Sequence, residues 1–498
     1  MNIQDAKNYI KDTVSAYLKK DEFGDYRIST EKQRPIFLVG APGIGKTAIM
    51  SQIADELGIA LVSYSMTHHT RQSALGLPFI KEKSYAGETV SVSEYTMSEI
   101  IASVYDVIEE SKIKEGILFL DEINCVSETL YPSMLQFLQY KVFGKHKVPE
   151  GWVIVTAGNP PEFNKAVREF DVVTLDRLKV IEVDPDFPAW KKYALEKGLH
   201  GSILGFLENN KDCFYVIETT VSGKSYVTAR GWEDLSDMIF LYEEDGKPVT
   251  SLLVGQYLRN DRVTGEYTAY YDLYNKYKKQ MDVSSLFDGK MTQKVKDSMI
   301  KAPVDERLAL VGLLCDVMRG ELKSVINEYE VATFIKPIVV NALESGDECK
   351  QILLDKTAGI KSEYDTRKRA GSLTASRRYF YKRTLSQLGK LNKDFQTSDE
   401  IKNQFNEIIA ALSEKVKKAQ GRSDNLFASI SEVYGEESNE MLLLISELTL
   451  DRTSSTFFAT FGSESYAKYS SIFKITDRAK SLQEEITNTF IRKEETIL

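Results

Sequence analysis

The stretch FLVGAPGIGKTAIM, residues 37–50, joins an apolar run to a helical pattern through a turn rich in glycine. The run before the turn, residues 35–39, is short and apolar, which is typical of a buried strand. The run after it places Ile49, Ile53 and Leu57 on one stripe, as in an α-helix. The sequence therefore predicts a strand, a tight turn and a helix, in that order.

The turn has the pattern G-x-x-x-x-G-K-[ST] over residues 40–47, which is the pattern of a phosphate-binding loop. Glycine lets backbone N–H groups approach a triphosphate closely, and the helix N-terminus adds partial positive charge there. We expect the Lys46 ammonium to reach the β- and γ-phosphates of ATP, and the Thr47 hydroxyl to ligate Mg²⁺. The alternative is a chance glycine-rich turn, and the flanking strand and helix count against it. The residues predicted to contact the nucleotide are Gly40, Ala41, Pro42, Gly43, Ile44, Gly45, Lys46, Thr47 and Ala48.

A second apolar run, GILFLDEIN over residues 116–124, ends in two adjacent carboxylates. Ligands of open α/β sheets bind at the carboxyl ends of the strands, where this run places Asp121 and Glu122. We predict that Asp121 holds the Mg²⁺ ion through water and that Glu122 polarises the attacking water as the general base. The alternative is an acidic pair that only caps the next helix.

A third run, WVIVTAGNPPEFN over residues 152–164, predicts a further strand that ends at Asn159. The Asn159 amide at such a position can orient the attacking water or contact the γ-phosphate. An ordinary Asn-Pro turn is the alternative. We favour the functional interpretation because three predicted strands then end in polar groups suited to a phosphate.

Arg177 is the candidate for a contact with a nucleotide in a neighbouring subunit. It lies between two apolar runs in DVVTLDRLKVIEV, residues 171–183. An arginine presented in this way raises the rate of nucleotide hydrolysis by stabilising the charge of the transition state. Arg168 is the competing candidate, and a surface ion pair of Arg177 with Asp171 or Asp176 is the structural alternative.

A fourth stretch, YVTARGWEDLSDMIFLY over residues 226–242, predicts a helix with Thr228 as its N-cap. Arg230 falls in the first turn of this helix, where the helix dipole disfavours a cation. This placement indicates an anionic partner for Arg230. An ordinary solvated arginine is the alternative.

In order along the chain, GAPGIGKT, LFLDEIN, VTAGNPP, LDR and TARGWEDL resemble the motifs of the AAA+ ATPases, and within them those of the MoxR-like group. The stretch CVSETLYPSMLQFLQYKVFG is similar to the one that holds the test helix of MoxR-like proteins. The resemblance covers residues 35–242, about half of the chain. It implies an α/β fold, a P-loop αβα sandwich with a parallel sheet, followed by a small helical lid.

The resemblance also assigns roles. Walker A is the phosphate-binding loop, Asp121 and Glu122 form Walker B, Asn159 is sensor 1, Arg177 is the trans-acting arginine finger and Arg230 is sensor 2. Such ATPases work as rings, usually hexamers, with ATP and Mg²⁺ at the subunit boundaries, and they remodel protein partners. MoxR-like members often act beside a von Willebrand A domain protein and help to insert metals or mature complexes. The resemblance therefore implies a protein client.

The sequence of residues 65–111 differs from the one usual in MoxR-like proteins. It leaves room for the insert that lines the ring pore in relatives. The candidates for pore loops there are His68, His69, Leu75 and Tyr85.

We predict three domains. Residues 1–185 form the AAA+ nucleotide-binding αβα domain, residues 186–249 form the helical lid with sensor 2, and residues 250–498 form a mostly α-helical C-terminal region. Apolar stripes at helical spacing, such as the one over residues 401–416, dominate the last region. We find no catalytic set of residues in it.

One stretch of the C-terminal region, KSEYDTRKRAGSLTASRRYFYKR over residues 361–383, holds eight basic and two acidic residues, with the aromatic residues 379–381 interleaved among them. It is either a patch for nucleic acid or an acidic protein surface, or a solvated helix face with an adjoining core anchor. The acidity of the chain as a whole favours the second interpretation.

The whole chain of 498 residues has a net charge of −9, which argues against nucleic acid as a general partner. No stretch is apolar over the length that a bilayer span needs, and residues 1–12 lack the apolar run of a secretory signal. Four scattered cysteines fit a reducing cytoplasm. The sequence therefore predicts a cytoplasmic, chaperone-like ATPase ring. The alternatives are a nucleic-acid-directed AAA+ ATPase and a nucleotide-gated assembly switch with low turnover.

Overall fold

A computed structural model of the chain describes residues 1–68, 72, 74, 76–85, 88–163, 167–220, 223–280, 283–393 and 397–472. The chain forms two compact units. The first unit consists of the described residues of 1–190, 228–230 and 350–393. The second unit consists of the described residues of 191–227, 231–349 and 397–472. The three-part division expected from the sequence stays a prediction.

Strands and helices follow one another in a regular α/β order at the start of the chain, and helices dominate later. The strands are β1 Ile36–Gly40, β2 Ala60–Ser65, β3 Pro78–Tyr85, β4 Glu88–Tyr95, β5 Gly116–Asp121, β6 Val142–Phe143, β7 His146–Lys147, β8 Trp152–Gly158, β9 Lys179–Val183, β10 Val216–Thr220 and β11 Gly223–Val227. The helices are α1 Ile3–Tyr17, α2 Lys46–Leu57, α3 Glu99–Ser111, α4 Tyr131–Tyr140, α5 Val172–Leu175, α6 Phe187–Lys197, α7 Gly201–Asn209, α8 Ala229–Glu244, α9 Ser251–Tyr257, α10 Asp261–Gln280, α11 Val283–Phe287, α12 Gln293–Lys301, α13 Val304–Glu344, α14 Cys349–Arg369, α15 Ala375–Lys393, α16 Ser398–Tyr434, α17 Asn439–Leu450 and α18 Arg452–Phe461.

A parallel sheet of five strands forms the centre of the first unit, in the order β2-β5-β8-β1-β9. Each neighbouring pair in the sheet is parallel, so β5, β8 and β1 bring their carboxyl ends to one edge. These three strands are buried along almost their whole length, which explains their near-continuous apolar sequences. The predicted fold class, a P-loop αβα sandwich with a parallel sheet, is confirmed.

Helices α2 and α3 pack against the β2 and β5 side of this sheet, and α1 packs against α2 and β9. The core between these elements is apolar and includes Phe37, Leu118, Ile154 and Trp152. Two short antiparallel hairpins, β3–β4 and β6–β7, belong to the same unit. The first hairpin occupies the segment in which the sequence left room for an insert.

The second unit is built mainly from helices, as predicted for the C-terminal region. The long helices α13 and α16 pack against each other and, with α17 and α18, enclose an apolar core that includes Leu314, Met318 and Phe427. Helix α16 begins with a reciprocal capping box between Thr397 and Glu400. Its predicted apolar stripe is present in the structure.

One hairpin in the second unit departs from the sequence interpretation. The segment expected to be a helical lid contains the antiparallel pair β10–β11 between α7 and α8. Its sequence has valine and threonine residues on both sides of Gly223, a pattern that favours a β-hairpin. The prediction of a helical lid did not take this pattern into account.

Helices α14 and α15 form a hairpin whose residues from 350 onward belong to the first unit, although the helices before and after it belong to the second. The turn of this hairpin lies against the edge strand β2, where the Leu61 N–H donates to the Ala370 carbonyl at 2.9 Å. Ala370 is fully buried in the core of the first unit.

Among the helices of the described ranges, none is both long enough and apolar enough for a membrane span.

Candidate functional site

The glycine-rich turn connects the end of β1 to the start of α2. Gly43 and Gly45 have φ of 74° and 95°, a left-handed conformation that glycine adopts without steric cost. A Cβ on Gly43 would lie 2.9 Å from the Thr228 hydroxyl, so a side chain there would collide with the start of α8. The Gly43 carbonyl also accepts a hydrogen bond from the Arg230 N–H at 3.1 Å. Glycine is therefore required here for backbone shape and for close packing.

Lys46 is the first residue of α2 and is buried at the carboxyl edge of the sheet. Its Nζ donates to the Gly40 carbonyl at 2.7 Å, the Ala41 carbonyl at 2.8 Å and Asn159 Oδ1 at 2.8 Å. Burial lowers the pKa of Lys46 to about 8; the Asp121 carboxylate opposes this shift and the Arg230 guanidinium adds to it. Two predicted site residues, from the turn and from the end of β8, thus meet directly.

Thr47 and Asp121 form the second contact of the site. The Thr47 hydroxyl donates to Asp121 Oδ2 at 2.8 Å, and Asp121 is the last residue of β5. A hydroxyl and a carboxylate oxygen side by side are hard oxygen ligands of the kind that Mg²⁺ prefers. The two residues fit the ion that the sequence predicts for them.

Glu122 follows β5 and has an unusual backbone conformation. Its φ of 57° lies in the left-handed region, which costs a residue with a side chain about 1–3 kcal/mol. The Glu122 N–H donates to Asp121 Oδ1 at 3.0 Å, and its carboxylate accepts from the Ser65 hydroxyl at 3.3 Å. Ser65 ends β2, so the neighbouring strand of the sheet orients this carboxylate.

Asn159 follows β8, and its backbone is held by Asn124. The Asn124 Nδ2 donates to the Asn159 carbonyl at 2.8 Å. The Asn124 carbonyl in turn accepts from the Arg168 N–H at 2.9 Å. Asn124 is buried, and a Cβ on Gly158 would lie 2.5 Å from its Oδ1. Asn124 ends the stretch GILFLDEIN, but the sequence analysis assigns it no role. The signal that could have identified it is its position two residues after Glu122.

The guanidinium groups of the two candidate arginine fingers contact other residues. Arg177 is exposed, and its guanidinium donates to Gln139 Oε1 on α4 at 2.5 Å. Arg168 pairs with Glu128 and lies over the Tyr131 ring at 5.9 Å. Neither arginine makes a described hydrogen bond or ion pair to the residues around Lys46.

Arg230 is the third arginine with a predicted role. It is exposed in the first turn of α8, and its backbone N–H is the group bonded to the turn. Its guanidinium is close enough to Lys46 to influence the pKa of that lysine. The structure therefore places the backbone of Arg230 against the glycine-rich turn that precedes Lys46.

The candidate pore residues are only partly described. His69 and Leu75 lie outside the described residues, while Tyr85 ends β3 with 55% of its surface exposed.

Residues 36–176 match the model of the ATPase family associated with various cellular activities, AAA. The matched stretch is a little more than a quarter of the chain and contains β1, β5, β8 and the contacts around Lys46. The match supports an AAA domain that binds ATP, and an ATP-driven function in general. No curated protein matches the chain.

Proposed function

We propose that the chain is a MoxR-like AAA+ ATPase that hydrolyses ATP at the subunit boundaries of a ring and uses the energy to remodel or mature protein partners. The observation that carries the proposal is the meeting of Lys46, Thr47, Asp121 and Asn159 at the carboxyl ends of three neighbouring strands. The AAA match over residues 36–176 supports an ATP-driven function. The MoxR-like assignment is supported by the order of the motifs in the sequence.

Each side chain at this edge has a distinct task. Lys46 neutralises the β- and γ-phosphates, and Asn159, whose Oδ1 accepts a hydrogen bond from the Lys46 ammonium, orients the attacking water or contacts the γ-phosphate. Glu122 takes the proton of that water as the general base. Thr47 and Asp121 would hold Mg²⁺, which would supply further neutralisation of the phosphate charge.

Arg177 completes the site of the next subunit rather than its own. Its guanidinium contacts Gln139 and no residue around Lys46 in the described part of the chain. The adjacent Val172 and Val173 expose 81% and 61% of their surfaces, which fits a surface that a neighbouring subunit covers. Arg168 is less suited, because Glu128 already holds its guanidinium. Arg230 acts as sensor 2 from the start of α8.

The ring is a hexamer in this proposal, and the client is a protein, with a von Willebrand A domain protein as one candidate. The cytoplasm is the proposed location, and the described cysteines are free thiols. The adjacent Asp121 and Glu122 carboxylates are a complete hydrolytic pair, which favours turnover over a nucleotide-gated switch.

Mixing of subunits tests the proposal. Arg177→Ala and Lys46→Ala should each abolish turnover alone, because one removes the finger and the other the phosphate contact. In a random equal mixture, about a quarter of the boundaries should join an intact Lys46 to an intact Arg177, and that share of the wild-type rate should return. Turnover is measured by phosphate release, and assembly of both variants by light scattering. Absence of recovery in rings that assemble would contradict the trans role of Arg177.

A further inference from the structure

The α14–α15 hairpin has a charge opposite in sign to that of the rest of the chain. Residues 350–393 contain twelve Lys and Arg and three Asp and Glu, a formal charge of +9. Because the whole chain has a charge of −9, the remaining residues carry −18. The acidic total therefore conceals a strongly basic segment and is a poor guide to what this segment binds.

The turn of the hairpin is bonded to β2 and α2 of the first unit. In addition to the bond between Leu61 and Ala370, the Thr374 hydroxyl donates to Asp55 Oδ2 at 2.6 Å. The Arg367 guanidinium lies 3.6 Å from Asp55 Oδ1. Asp55 is a buried residue near the end of α2. The basic segment is thus a fixed part of the unit that holds the candidate ATP site.

Part of the positive charge is neutralised inside the hairpin. Glu363 Oε1 accepts from the Tyr381 hydroxyl at 2.6 Å and from Arg367 Nε at 3.1 Å, which joins α14 to α15. Arg377 Nε lies 3.9 Å from Asp55 Oδ1. These contacts give Arg367 and Arg377 structural roles and account for the buried Tyr381.

Several other basic side chains of the hairpin are exposed and have no ion pair with any described residue, among them Lys361, Lys368, Arg378 and Lys382. Lys361 and Lys368 are seven residues apart on α14, and Arg378 and Lys382 are four residues apart on α15. Each pair therefore shares one face of its helix. The like charges of Arg378 and Lys382, four residues apart, repel each other, and an anionic partner would remove the repulsion.

The cations of the hairpin differ in their positions relative to the helix dipoles. Arg367, Lys368 and Arg369 lie in the last turn of α14, where the helix dipole stabilises positive charge. Arg378 lies in the first turn of α15, where the dipole disfavours it. Next to Arg378, Tyr379 exposes 51% of its surface. An exposed aromatic ring beside unpaired cations is the combination that stacks on an unpaired base.

We propose that the α14–α15 hairpin binds single-stranded nucleic acid, with its unpaired Lys and Arg on the phosphates and Tyr379 stacked on a base. Cations on both helices fit a continuous charged backbone. The exposed Tyr379 favours an unpaired base over a duplex or an acidic protein surface. This binding needs neither ATP hydrolysis nor a ring, so it can fail or succeed independently of the proposed ATPase.

The test is fluorescence anisotropy of a labelled oligonucleotide of about 16 nucleotides with the full chain, using DNA and RNA of one sequence. The triple variant Lys361→Ala, Arg378→Ala, Lys382→Ala should bind about tenfold or more weakly at about 50 mM KCl, with a salt slope smaller by about 2. Tyr379→Ala should weaken binding by about tenfold, and Tyr379→Phe should restore it. Tighter binding of the RNA or of the DNA oligonucleotide shows which of the two is the preferred ligand.

The matched control is the triple variant Lys294→Ala, Lys336→Ala, Lys402→Ala. It removes the same number of exposed cations that have no described ion pair, from the second unit. Circular dichroism and binding of a fluorescent ATP analogue check that both variants are folded. Equal affinities of the two triple variants would overturn the proposal. Displacement of the oligonucleotide by poly-L-glutamate as readily as by unlabelled DNA would also overturn it, and would indicate an acidic protein partner.

Discussion

The proposed role of Lys46 in binding a triphosphate requires its buried ammonium group to keep its proton. Three acceptors satisfy its ammonium group, yet burial still lowers its pKa to about 8. A phosphate-binding lysine with an ordinary pKa near 10.4 would stay charged across the physiological range. The binding of ATP should therefore depend on pH in a range where an exposed lysine would show no effect.

We expect the affinity for ATP to fall as pH rises through about 8, because the free site then loses the Lys46 proton. The sign follows from linkage: the bound triphosphate favours the ammonium form, so the complex holds more protons than the free protein. Above that pH, Kd should rise by up to about tenfold per pH unit. Titration with a fluorescent ATP analogue at a series of pH values measures this change in Kd. Lys46→Arg is the control, because its guanidinium stays charged; equal pH slopes for the two proteins would contradict the assignment.

Asn124 is a buried amide that holds other residues of the candidate site in position. It spans the residues after β5 and β8, since its side chain donates to the Asn159 carbonyl and its own carbonyl accepts from Arg168. Its Oδ1 is buried without a hydrogen-bond partner in the described part of the chain. We infer that Asn124 is a positioning residue for Asn159.

Asn124→Ala should lower kcat for ATP hydrolysis by about tenfold to a hundredfold and change KM by much less, because the position of Asn159 matters most in the transition state. The control is Thr156→Val, which also removes a buried hydrogen bond of β8, from the Thr156 hydroxyl to the Ile36 carbonyl. That variant should lose stability and retain kcat. The positioning role would be wrong if both variants lost kcat in proportion to their loss of stability.

At the scale of elements, a buried network of charges joins the helices of the second unit. Glu447 on α17 contacts Lys191 on α6 and lies 3.0 Å from the Arg319 guanidinium on α13. Arg319 also pairs with Asp316, and the Lys191 ammonium lies 2.5 Å from Glu208 on α7. Burial raises the pKa of Glu447, but the two cations outweigh it and hold that pKa below its ordinary value. The network therefore fixes how these four helices pack.

Glu447→Gln should reduce the free energy of unfolding by about 3 kcal/mol, because it leaves Lys191 and Arg319 buried beside a neutral group. Urea denaturation followed by circular dichroism measures the change. The control is Glu437→Gln, an exposed glutamate with no described ion pair, which should stay within about 0.5 kcal/mol of wild type. Equal stability of the two variants would show that the buried network contributes little.

The elements that carry the site could be predicted because their signals are local. The apolar strands ending at Gly40, Asp121 and Gly158 and the helix after Gly45 follow from patterns of a few residues. The convergence of their ends follows from the rule that parallel strands share a carboxyl edge. The fold class and the place of the site could therefore be predicted from the sequence.

The remaining features depend on partners that are distant in sequence. Asp55 and Thr374 are 319 residues apart, so no local pattern shows that the α14–α15 hairpin joins the first unit. Asn124 is likewise defined by its bond to Asn159, which only the sheet order brings near. The β10–β11 hairpin was missed for a different reason, since its local signals were present and a helical interpretation of the whole lid outweighed them.

At the scale of the whole molecule, the proposed cycle needs more than one copy of the chain. In that proposal the groups around Lys46 hydrolyse ATP with the help of a cation from a neighbouring subunit, because the Arg177 guanidinium of the same chain contacts Gln139. Bound ATP should therefore hold neighbouring subunits together for as long as it is not hydrolysed. A variant that binds ATP without hydrolysing it should then accumulate as a ring.

The most direct test of the account compares ATP turnover and bound nucleotide in the wild type and in Glu122→Gln. The substitution keeps the size of the side chain and removes the base, so turnover should fall by at least about a hundredfold while ATP stays bound. The variant should elute as a ring with ATP, detected by light scattering and by chromatography of the released nucleotide. Lys46→Ala is the control for nucleotide binding and should retain no nucleotide. Turnover at the wild-type rate in Glu122→Gln, or loss of bound ATP from it, would contradict a hydrolytic site at the ends of these strands.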